Sequence, residues 1–148
     1  KDGKRQGKWT YWHENGKKKA ETDWKDDKWH GRATSWYDNG KKESEGQYKD
    51  GEKHGKWIFW DENGQVQAQA GFKDGRQHGQ AIFWYENGQI KEEINYKDGF
   101  SYTINFWTED GELMIDRTEC VSYIKNNTPI KKRIKYNVGI EIKIQKGR

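Results

Sequence analysis

The sequence predicts an all-β fold, in which tandem antiparallel β-hairpin repeats with a 24-residue period form an elongated, curved single-layer sheet. Two observations predict it. Glycine and aromatic residues recur at this spacing, and every full unit has an Asn-Gly pair at its centre, the strongest short-range hairpin signal. One hairpin cannot bury enough surface to fold alone, so neighbours must stack. The pairs are Asn15-Gly16, Asn39-Gly40, Asn63-Gly64 and Asn87-Gly88.

The first unit shows how each hairpin is expected to form. A strand over about 8–13 and a strand over about 17–24 flank a type I′ turn at Asn15-Gly16. The Lys-Asp-Gly segment then begins the loop to the next hairpin. This turn places Gly7 opposite Trp24 and, by the repeat, Gly55 opposite Phe72. A glycine lets the facing ring lie across the backbone.

Alternation along the strands predicts two different faces. We call the first the ring-lined face, and we expect it to form the core or a trough. The second is polar apart from one tryptophan in each unit, and we call it the Trp face. In the third unit the ring-lined face carries Trp57, Phe59, Val66, Ala68, Ala70 and Phe72, with Ile90 as the fourth-unit counterpart of Val66. The Trp face carries Ile58, Trp60, Gln65, Gln67 and Gln69.

Composition supports a core of rings. Apolar residues make up only 30% of the 148 residues and charged residues 35%, but the chain has nine Trp, eight Tyr and five Phe. Large rings bury roughly 150–250 Å² each, so few are needed. The net charge of +4 arises from mixed charges and does not make a strong nucleic-acid footprint. The single cysteine, Cys120, excludes an internal disulfide and a cysteine-based zinc cluster.

The domain organisation follows from where the repeat stops. Residues 1–111 hold four full units and one shortened unit, and residues 112–148 are expected to form a non-repeat β-hairpin cap on the sheet edge. The chain begins inside a repeat, so we expect the native protein to extend further toward its N-terminus. A bacterial cytoplasmic location is favoured, with a secreted or surface-exposed one as the alternative.

The units resemble a known repeat family. The run from Lys49 to Trp57, followed by Trp60-Asp61-Glu62-Asn63-Gly64, is similar to the MORN repeat (membrane occupation and recognition nexus). It looks most like the bacterial variant in YwqK-family antitoxins. The resemblance implies a hairpin array that contacts another protein, in the bacterial variant a toxin that it neutralises. Lipid or scaffold roles are proposed for eukaryotic relatives. No catalytic residue belongs to the repeat.

Candidate chemistry is sparse, and we predict no catalytic residue, metal site or cofactor. His30, His54 and His78 form a column, but they should lie two strands apart, too far for shared zinc ligation. A role in structuring the loops is the better interpretation. Cys120 has no histidine near it in sequence, and the carboxylates beside the turns recur once per hairpin. The chain is therefore predicted not to be an enzyme.

Candidate partner contacts fall in one recurring column and in slots that vary between units. The recurring tryptophans are either covered by neighbouring Lys, Gln and Glu stems or form an exposed ladder for a protein, glycan or peptide. The varying slots are Trp9, Ala33, Trp57 and Ala81, and His13, Tyr37, Asp61 and Tyr85. The predicted contacts are Trp9, Trp12, Trp36, Tyr37, Trp57, Trp60, Trp84 and Tyr85.

The function predicted from the sequence is a non-enzymatic repeat scaffold for protein–protein interaction, with a cognate toxin as the partner in the antitoxin or immunity version. Two alternatives stay open. One is a membrane-surface or cell-surface scaffold that binds lipid or a host ligand. The other is weak nucleic-acid binding, since residues 130–148 carry many lysines and arginines.

Overall fold

A computed structural model describes residues 3–118, 124–125 and 128–129. Ten antiparallel strands form one sheet in which spatial order equals chain order, and no helix occurs in this part of the chain. The strands in contact are sequence neighbours, so the sheet is a single layer, and the predicted all-β repeat fold is confirmed. The strands are β1 (Gly7–Trp12), β2 (Lys18–Lys25), β3 (Lys28–Trp36), β4 (Lys42–Lys49), β5 (Glu52–Trp60), β6 (Val66–Lys73), β7 (Arg76–Trp84), β8 (Ile90–Lys97), β9 (Phe100–Trp107) and β10 (Leu113–Thr118).

Beyond residue 111 the repeat continues for one more strand. β10 pairs with β9 and completes a fifth hairpin, so the predicted boundary after residue 111 lies in that hairpin's turn. Two short strands, β11 (Ile124–Lys125) and β12 (Thr128–Pro129), pair with each other in a separate sheet. The remaining residues of the predicted cap, with the predicted turn at 137–139, lie outside the described residues.

The predicted turn types are wrong. The two-residue type I′ turns lie in the Lys-Asp-Gly segments, and the Asn-Gly segments form the longer turns. Type I′ turns need a positive φ at both central residues. This occurs in the Lys-Asp-Gly segments, where Asp50 (φ 54°) and Gly51 (φ 96°) directly join β4 to β5. Asp26-Asp27, Asp74-Gly75 and Asp98-Gly99 join the other strand pairs in the same way. These segments are therefore the tight hairpin turns rather than longer connecting loops.

The Asn-Gly segments form the longer turns. The Gly16 N–H donates to the His13 carbonyl at 3.0 Å, and among the central residues only Gly16 has a positive φ. This is a type I turn followed by a glycine bulge, the next most common hairpin connection. The Asn15 side chain accepts the Lys17 N–H at 3.0 Å and closes the turn from within.

The predicted register is confirmed in the strand interiors and shifted at the turn ends. Gly7 pairs with Trp24, and Gly55 pairs with Phe72. Next to the turn the register slips, so that Trp60 pairs with Val66, and Trp84 pairs with Ile90 in the next unit. Cross-strand partners share a face. The prediction that places Val66 and Ile90 on the ring-lined face is therefore wrong, since the bulge puts both on the Trp face.

The core is centred on a row of side chains that crosses the sheet on the ring-lined face, and Trp24, 8% exposed, is buried in addition to this row. Ala81 is fully buried, Trp57 is 3% exposed and Ala70 is 5% exposed. Most members are small, so the row forms the floor of a trough with aromatic rings beside it. The row is Thr22, Ala33, Gly46, Trp57, Ala70, Ala81 and Ile94.

Candidate binding surfaces

The Trp face holds the tryptophan column and, paired with it across each hairpin, a second column. The second column changes character along the chain. It is Lys in the first two hairpins and aliphatic in the next three. In order, its members are Lys18, Lys42, Val66, Ile90 and Leu113, and they pair with Trp12, Trp36, Trp60, Trp84 and Trp107.

A charged network extends from the first hairpin over the Trp face of the second. The Lys18 Nζ lies 5.6 Å from the ring centroid of Trp36 in the next unit. It also lies 2.9 Å from the Glu21 carboxylate, which Lys8 contacts at 3.0 Å. The hydrogen bond from Lys18, followed by that from Lys8, lowers the pKa of Glu21. Both lysines are thus held by the Glu21 carboxylate, and the Lys18 ammonium lies over the Trp36 indole.

The second hairpin repeats this network. The Lys42 Nζ lies 5.6 Å from the ring centroid of Trp60 and 2.5 Å from Glu45. Arg32 contacts the same carboxylate at 2.6 Å. The hydrogen bond from Lys42 is the largest cause that lowers the pKa of Glu45. For Trp36 and Trp60, a lysine ammonium of the preceding unit therefore lies over the recurring ring, which favours the covered interpretation of these two rings.

The third and fourth hairpins lack the lysine of the second column, although Lys42 still lies over Trp60 and Glu93 keeps the acidic slot. Val66 is 40% exposed, Ile90 is 36% exposed, and Gln69 stands where Glu21 and Glu45 stand in the earlier units. A shallow depression of about 390 Å³ lies between Val66 and Trp84. Its other walls are formed by the Asn-Gly turn of the fourth hairpin. Leu113, 44% exposed, extends the apolar strip to the last described strand of the sheet.

Two predicted contact residues, Tyr37 and Tyr85, brace neighbouring hairpins. The Tyr37 hydroxyl donates to the Trp60 carbonyl at 2.7 Å, and the Tyr85 hydroxyl donates to the Trp107 carbonyl at 2.9 Å. The pKa of Tyr37 is raised, mainly by burial and to a lesser extent by nearby carboxylates. Each hydroxyl is thus engaged within the sheet, and the slot that varies in sequence links one unit to the next.

The other varying slot, on the ring-lined face, has two very different tryptophans. Trp57 is buried against β4, where its Nε1 donates to the Gln47 carbonyl at 3.1 Å. Trp9, on the first strand, is 41% exposed. Trp12 on the same strand is 59% exposed, but it belongs to the Trp face. Trp57 therefore supports the core row and is not available at the surface.

A series of aromatic rings lies along the side of the trough, and two cations lie over it. Arg5 lies with its guanidinium carbon 3.6 Å from the Trp24 ring centroid, and the Lys53 Nζ lies 4.3 Å from that of Trp57. Burial lowers the pKa of Lys53. Ring contacts join neighbours at centroid distances of 4.9–6.3 Å. The connected rings are Trp9, Trp24, Trp29, Tyr48, Trp57 and Phe59.

The histidine column structures the tight turns, as predicted. His30 Nδ1 lies 3.4 Å from the Asp50 carboxylate, and His78 Nδ1 lies 3.5 Å from that of Asp98. In the first unit, Gln6 donates to Asp26 at 2.7 Å from the same slot. Within the described ranges, no cluster of His, Cys, Asp and Glu could hold a metal ion, and no helix has the length and apolar character to cross a membrane.

The repeat geometry agrees with a comparison against known families. The MORN repeat variant matches residues 5–26, 29–50, 53–74 and 77–98, one match for each full hairpin unit. The chain is a MORN repeat protein. MORN repeat proteins are generally non-enzymatic, and their repeats commonly act as protein- or lipid-interacting modules. Comparison with curated proteins finds no matching relative.

Sequence reasoning missed the aliphatic members of the second column. Strict alternation assigns Val66 and Ile90 to the core, and only the bulge after the Asn-Gly turn moves them to the other face. One signal could have found them. Lys18 and Lys42 occupy the same slot in the first two units, and lysines rarely occupy a core position. The slot therefore had to be at the surface in every unit.

Proposed function

We propose that this MORN repeat chain is a non-enzymatic scaffold that binds another protein through the Trp face of its third and fourth repeats. The observation that carries the proposal is the change from Lys18 and Lys42 to Val66 and Ile90 in one surface slot. The fold accepts lysine there, so the exposed aliphatic side chains are not needed to build the sheet. Exposed apolar patches with polar rims are typical of protein-binding sites.

The surroundings of these residues fit a protein interface. Half-buried Trp60 and Trp84 lie beside the exposed aliphatic side chains, and tryptophan is enriched among residues that dominate binding energy. Gln80 donates to Glu93 at 2.5 Å at the edge of this surface and supplies a polar rim. In this proposal Trp60 and Trp84 remain contact residues, and Val66, Ile90 and Leu113 join them.

Charge makes lipid or nucleic acid a weaker candidate for this surface. Lys42, whose ammonium lies over Trp60, already contacts Glu45, and the slot that holds lysine in the first two repeats is occupied here by Val66 and Ile90. A lysine that is already paired with a carboxylate gains less free energy on binding a phosphate than a free lysine does, because the existing contact must be lost. Binding to anionic vesicles that Val66→Lys strengthens would contradict the protein-binding proposal.

The test is capture followed by an affinity measurement. The wild-type chain is used to isolate a partner from its source cells, and the purified partner is then titrated against the Val66→Lys/Ile90→Lys double variant. We expect a loss of affinity of about tenfold or more, because two central apolar contacts become charged. The fold should persist, since the first two repeats carry lysine in this slot.

The matched control is Gln67→Lys, which adds a charge next to Val66 in a slot that holds Lys19 in the first repeat and Lys91 in the fourth. We expect this variant to bind almost as the wild type does. Equal affinity of all variants would contradict the proposal. The antitoxin version adds one experiment: expression of the captured partner alone must be toxic, and co-expression of this chain must relieve the toxicity.

A further inference from the structure

One of the four Asn-Gly turns differs from the others in how its asparagine side chain is held. In the first, second and fourth turns the side-chain oxygen accepts the N–H of the residue after the glycine at 2.8–3.0 Å. The amide nitrogen of the same side chain donates to a main-chain carbonyl of the next hairpin at 2.8–2.9 Å. Within the described part of the chain, the side-chain amide of Asn63 has no protein partner for either bond.

Asp61 explains this difference. It occupies the slot that holds tyrosine in the second and fourth turns, and its carboxylate accepts the Gln65 N–H at 2.9 Å. In the other turns the asparagine accepts the equivalent N–H, so Asp61 takes the place of the Asn63 side chain. Asn63 is exposed, and its side chain is therefore free to rotate about its own bonds.

An asparagine followed by glycine reacts with its own main chain when its side chain can reach the glycine nitrogen. That nitrogen attacks the side-chain carbonyl carbon Cγ, the N–Cγ bond forms, and the Cγ–Nδ2 bond breaks. Ammonia leaves with the proton of the glycine N–H, and a five-membered cyclic imide remains. Water then opens either C–N bond of the imide and gives aspartate or isoaspartate. Glycine favours the attack because it has no side chain to obstruct it.

The second turn is the matched comparison for the third. In both turns the glycine N–H donates to the carbonyl three residues earlier at 2.9 Å. A lysine ammonium contacts the main-chain carbonyl of Asn39 at 2.9 Å and that of Asn63 at 3.0 Å. The attacking nitrogen is thus held alike, and the turns differ in the asparagine side chain. Asn39 must break two side-chain hydrogen bonds before its Cγ can turn toward the nitrogen, and Asn63 breaks none.

We propose that Asn63 is a site of spontaneous deamidation, at which the folded chain modifies itself faster than at its other Asn-Gly pairs. The modification goes beyond the scaffold function and needs no partner protein. Its product lies in the turn whose bulge puts Val66 opposite Trp60 on the Trp face. Isoaspartate adds a methylene group to the main chain of this turn, which disrupts the pairing of these two residues. The reaction therefore alters the surface around Val66 as the protein ages.

The test compares the four asparagines within one folded chain. The wild-type chain is incubated in mildly alkaline buffer, and its tryptic peptides, which carry one Asn-Gly pair each, are followed by mass spectrometry. We expect Asn63 to be converted about fivefold faster than Asn39 or more, the factor that corresponds to breaking one ordinary hydrogen bond first. In the urea-unfolded chain the four rates should be alike. Equal rates in the folded chain, or the same excess at Asn63 in the unfolded chain, would overturn the proposal.

Two variants test whether Asp61 is the cause. Asp61→Ala returns the Gln65 N–H to the Asn63 side chain and should slow its conversion to near the rate of Asn39. Glu62→Ala removes a neighbouring exposed carboxylate without changing that bond, and it should leave the rate unaltered. An unaltered rate in Asp61→Ala, or an equal change in both variants, would contradict the proposal. If Asp61→Ala proves unfolded by circular dichroism, Asp61→Tyr provides the same comparison with the residue of the second and fourth turns.

Amide hydrogen exchange measures the effect on the turn. In the fraction that carries isoaspartate at position 63, exchange at Trp60 and Val66 should be faster than in the fresh chain. Exchange at Trp36 and Lys42, the corresponding pair of the second hairpin, should be unchanged. Unchanged exchange at Val66 would contradict the effect on the surface. None of these measurements uses a partner protein, so failure here and failure of the Trp-face proposal are distinguishable.

Discussion

The first two repeats and the next two share one backbone design but present different surfaces. Both halves use Asp-containing tight turns, Asn-Gly turns with a glycine bulge, and one buried row. On the Trp face, Lys18 and Lys42 become Val66 and Ile90, and Glu45 becomes Gln69. The positions that recur build the sheet. The position that changes at constant geometry is where a repeat protein can acquire a specific partner.

The lysine–glutamate contacts of the first half contribute little to the stability of the fold. Exposed ion pairs contribute about 0–1 kcal/mol each, and the third repeat folds in the same way without one. Their main effect is to keep the Trp face polar and shielded. In the second half the lysines of this slot are replaced by Val66 and Ile90, which makes the apolar strip the better candidate contact surface.

The largest predicted effect on the free energy of unfolding concerns the buried row, which holds a glycine against a tryptophan at one junction and two alanines at the next. Gly46→Ala should lower the free energy of unfolding by about 2–3 kcal/mol, because the new methyl group overlaps the Trp57 ring. In a Trp57→Ala background the same change should cost little, since Ala70 and Ala81 already pair in this way in the next unit. Denaturant unfolding of the four chains measures the coupling. Equal costs in both backgrounds would contradict this packing.

A smaller effect is expected at the tight turns, which both halves share. Gly75 has a φ of 75°, and a Cβ there would lie 3.2 Å from the Glu52 carboxylate. Gly75→Ala should therefore cost about 1–2 kcal/mol in unfolding free energy, the usual penalty for a side chain in the left-handed region. Glu62→Ala, at an exposed position of an Asn-Gly turn, serves as the control. If both variants cost the same, the turn assignment fails.

Each hydrogen bond from a bracing tyrosine hydroxyl should contribute about 1 kcal/mol to the free energy of unfolding. Tyr37→Phe and Tyr85→Phe remove one hydroxyl donor to the next repeat and leave the ring in place. The third repeat has Asp61 in this slot, so the braces hold only some of the junctions. Thermal unfolding should show a lower midpoint for both variants and little change for Tyr11→Phe, whose ring is 39% exposed. An equal shift for Tyr11→Phe would contradict the bracing role.

The smallest effect is the response to acid, and it should occur mainly in the first half. The hydrogen bonds from Lys18 and Lys42 lower the pKa of Glu21 and Glu45 in the folded chain. A lowered carboxyl pKa stabilises the fold above the ordinary value of 4.5, and this contribution is lost as pH falls through the lower folded value. Since these side chains are part exposed, the loss should be a few tenths of a kcal/mol each.

Glu45→Gln should remove part of that acid response, because glutamine does not titrate. Unfolding free energies measured from pH 6 downward in the wild type and the variant give the comparison. A variant whose stability falls with acid as steeply as that of the wild type would exclude Glu45 as a source. Glu62→Gln provides the control, since this exposed turn residue makes none of the lysine contacts.

The sequence predicted the repeat, the hairpins and the central register, because glycine and aromatic residues mark these positions in every unit. It misassigned the turns because both Asn-Gly and Asp-Gly suit a two-residue type I′ turn, and propensity alone does not choose between them. The error at Val66 followed from the turn error, since the bulge changes the face of the residues next to it. The roles of Tyr37 and Tyr85 depend on contacts between repeats, which alternation within one hairpin does not reveal.

The most direct test of the central claim compares the two halves of the Trp face in one complex. Indole oxidation can be measured residue by residue with and without the captured partner. We predict strong protection of Trp84 on binding and an unchanged rate at Trp12, the most exposed tryptophan of the first repeat. Protection of Trp12 with Trp84 left unprotected would contradict the assignment of binding to the third and fourth repeats.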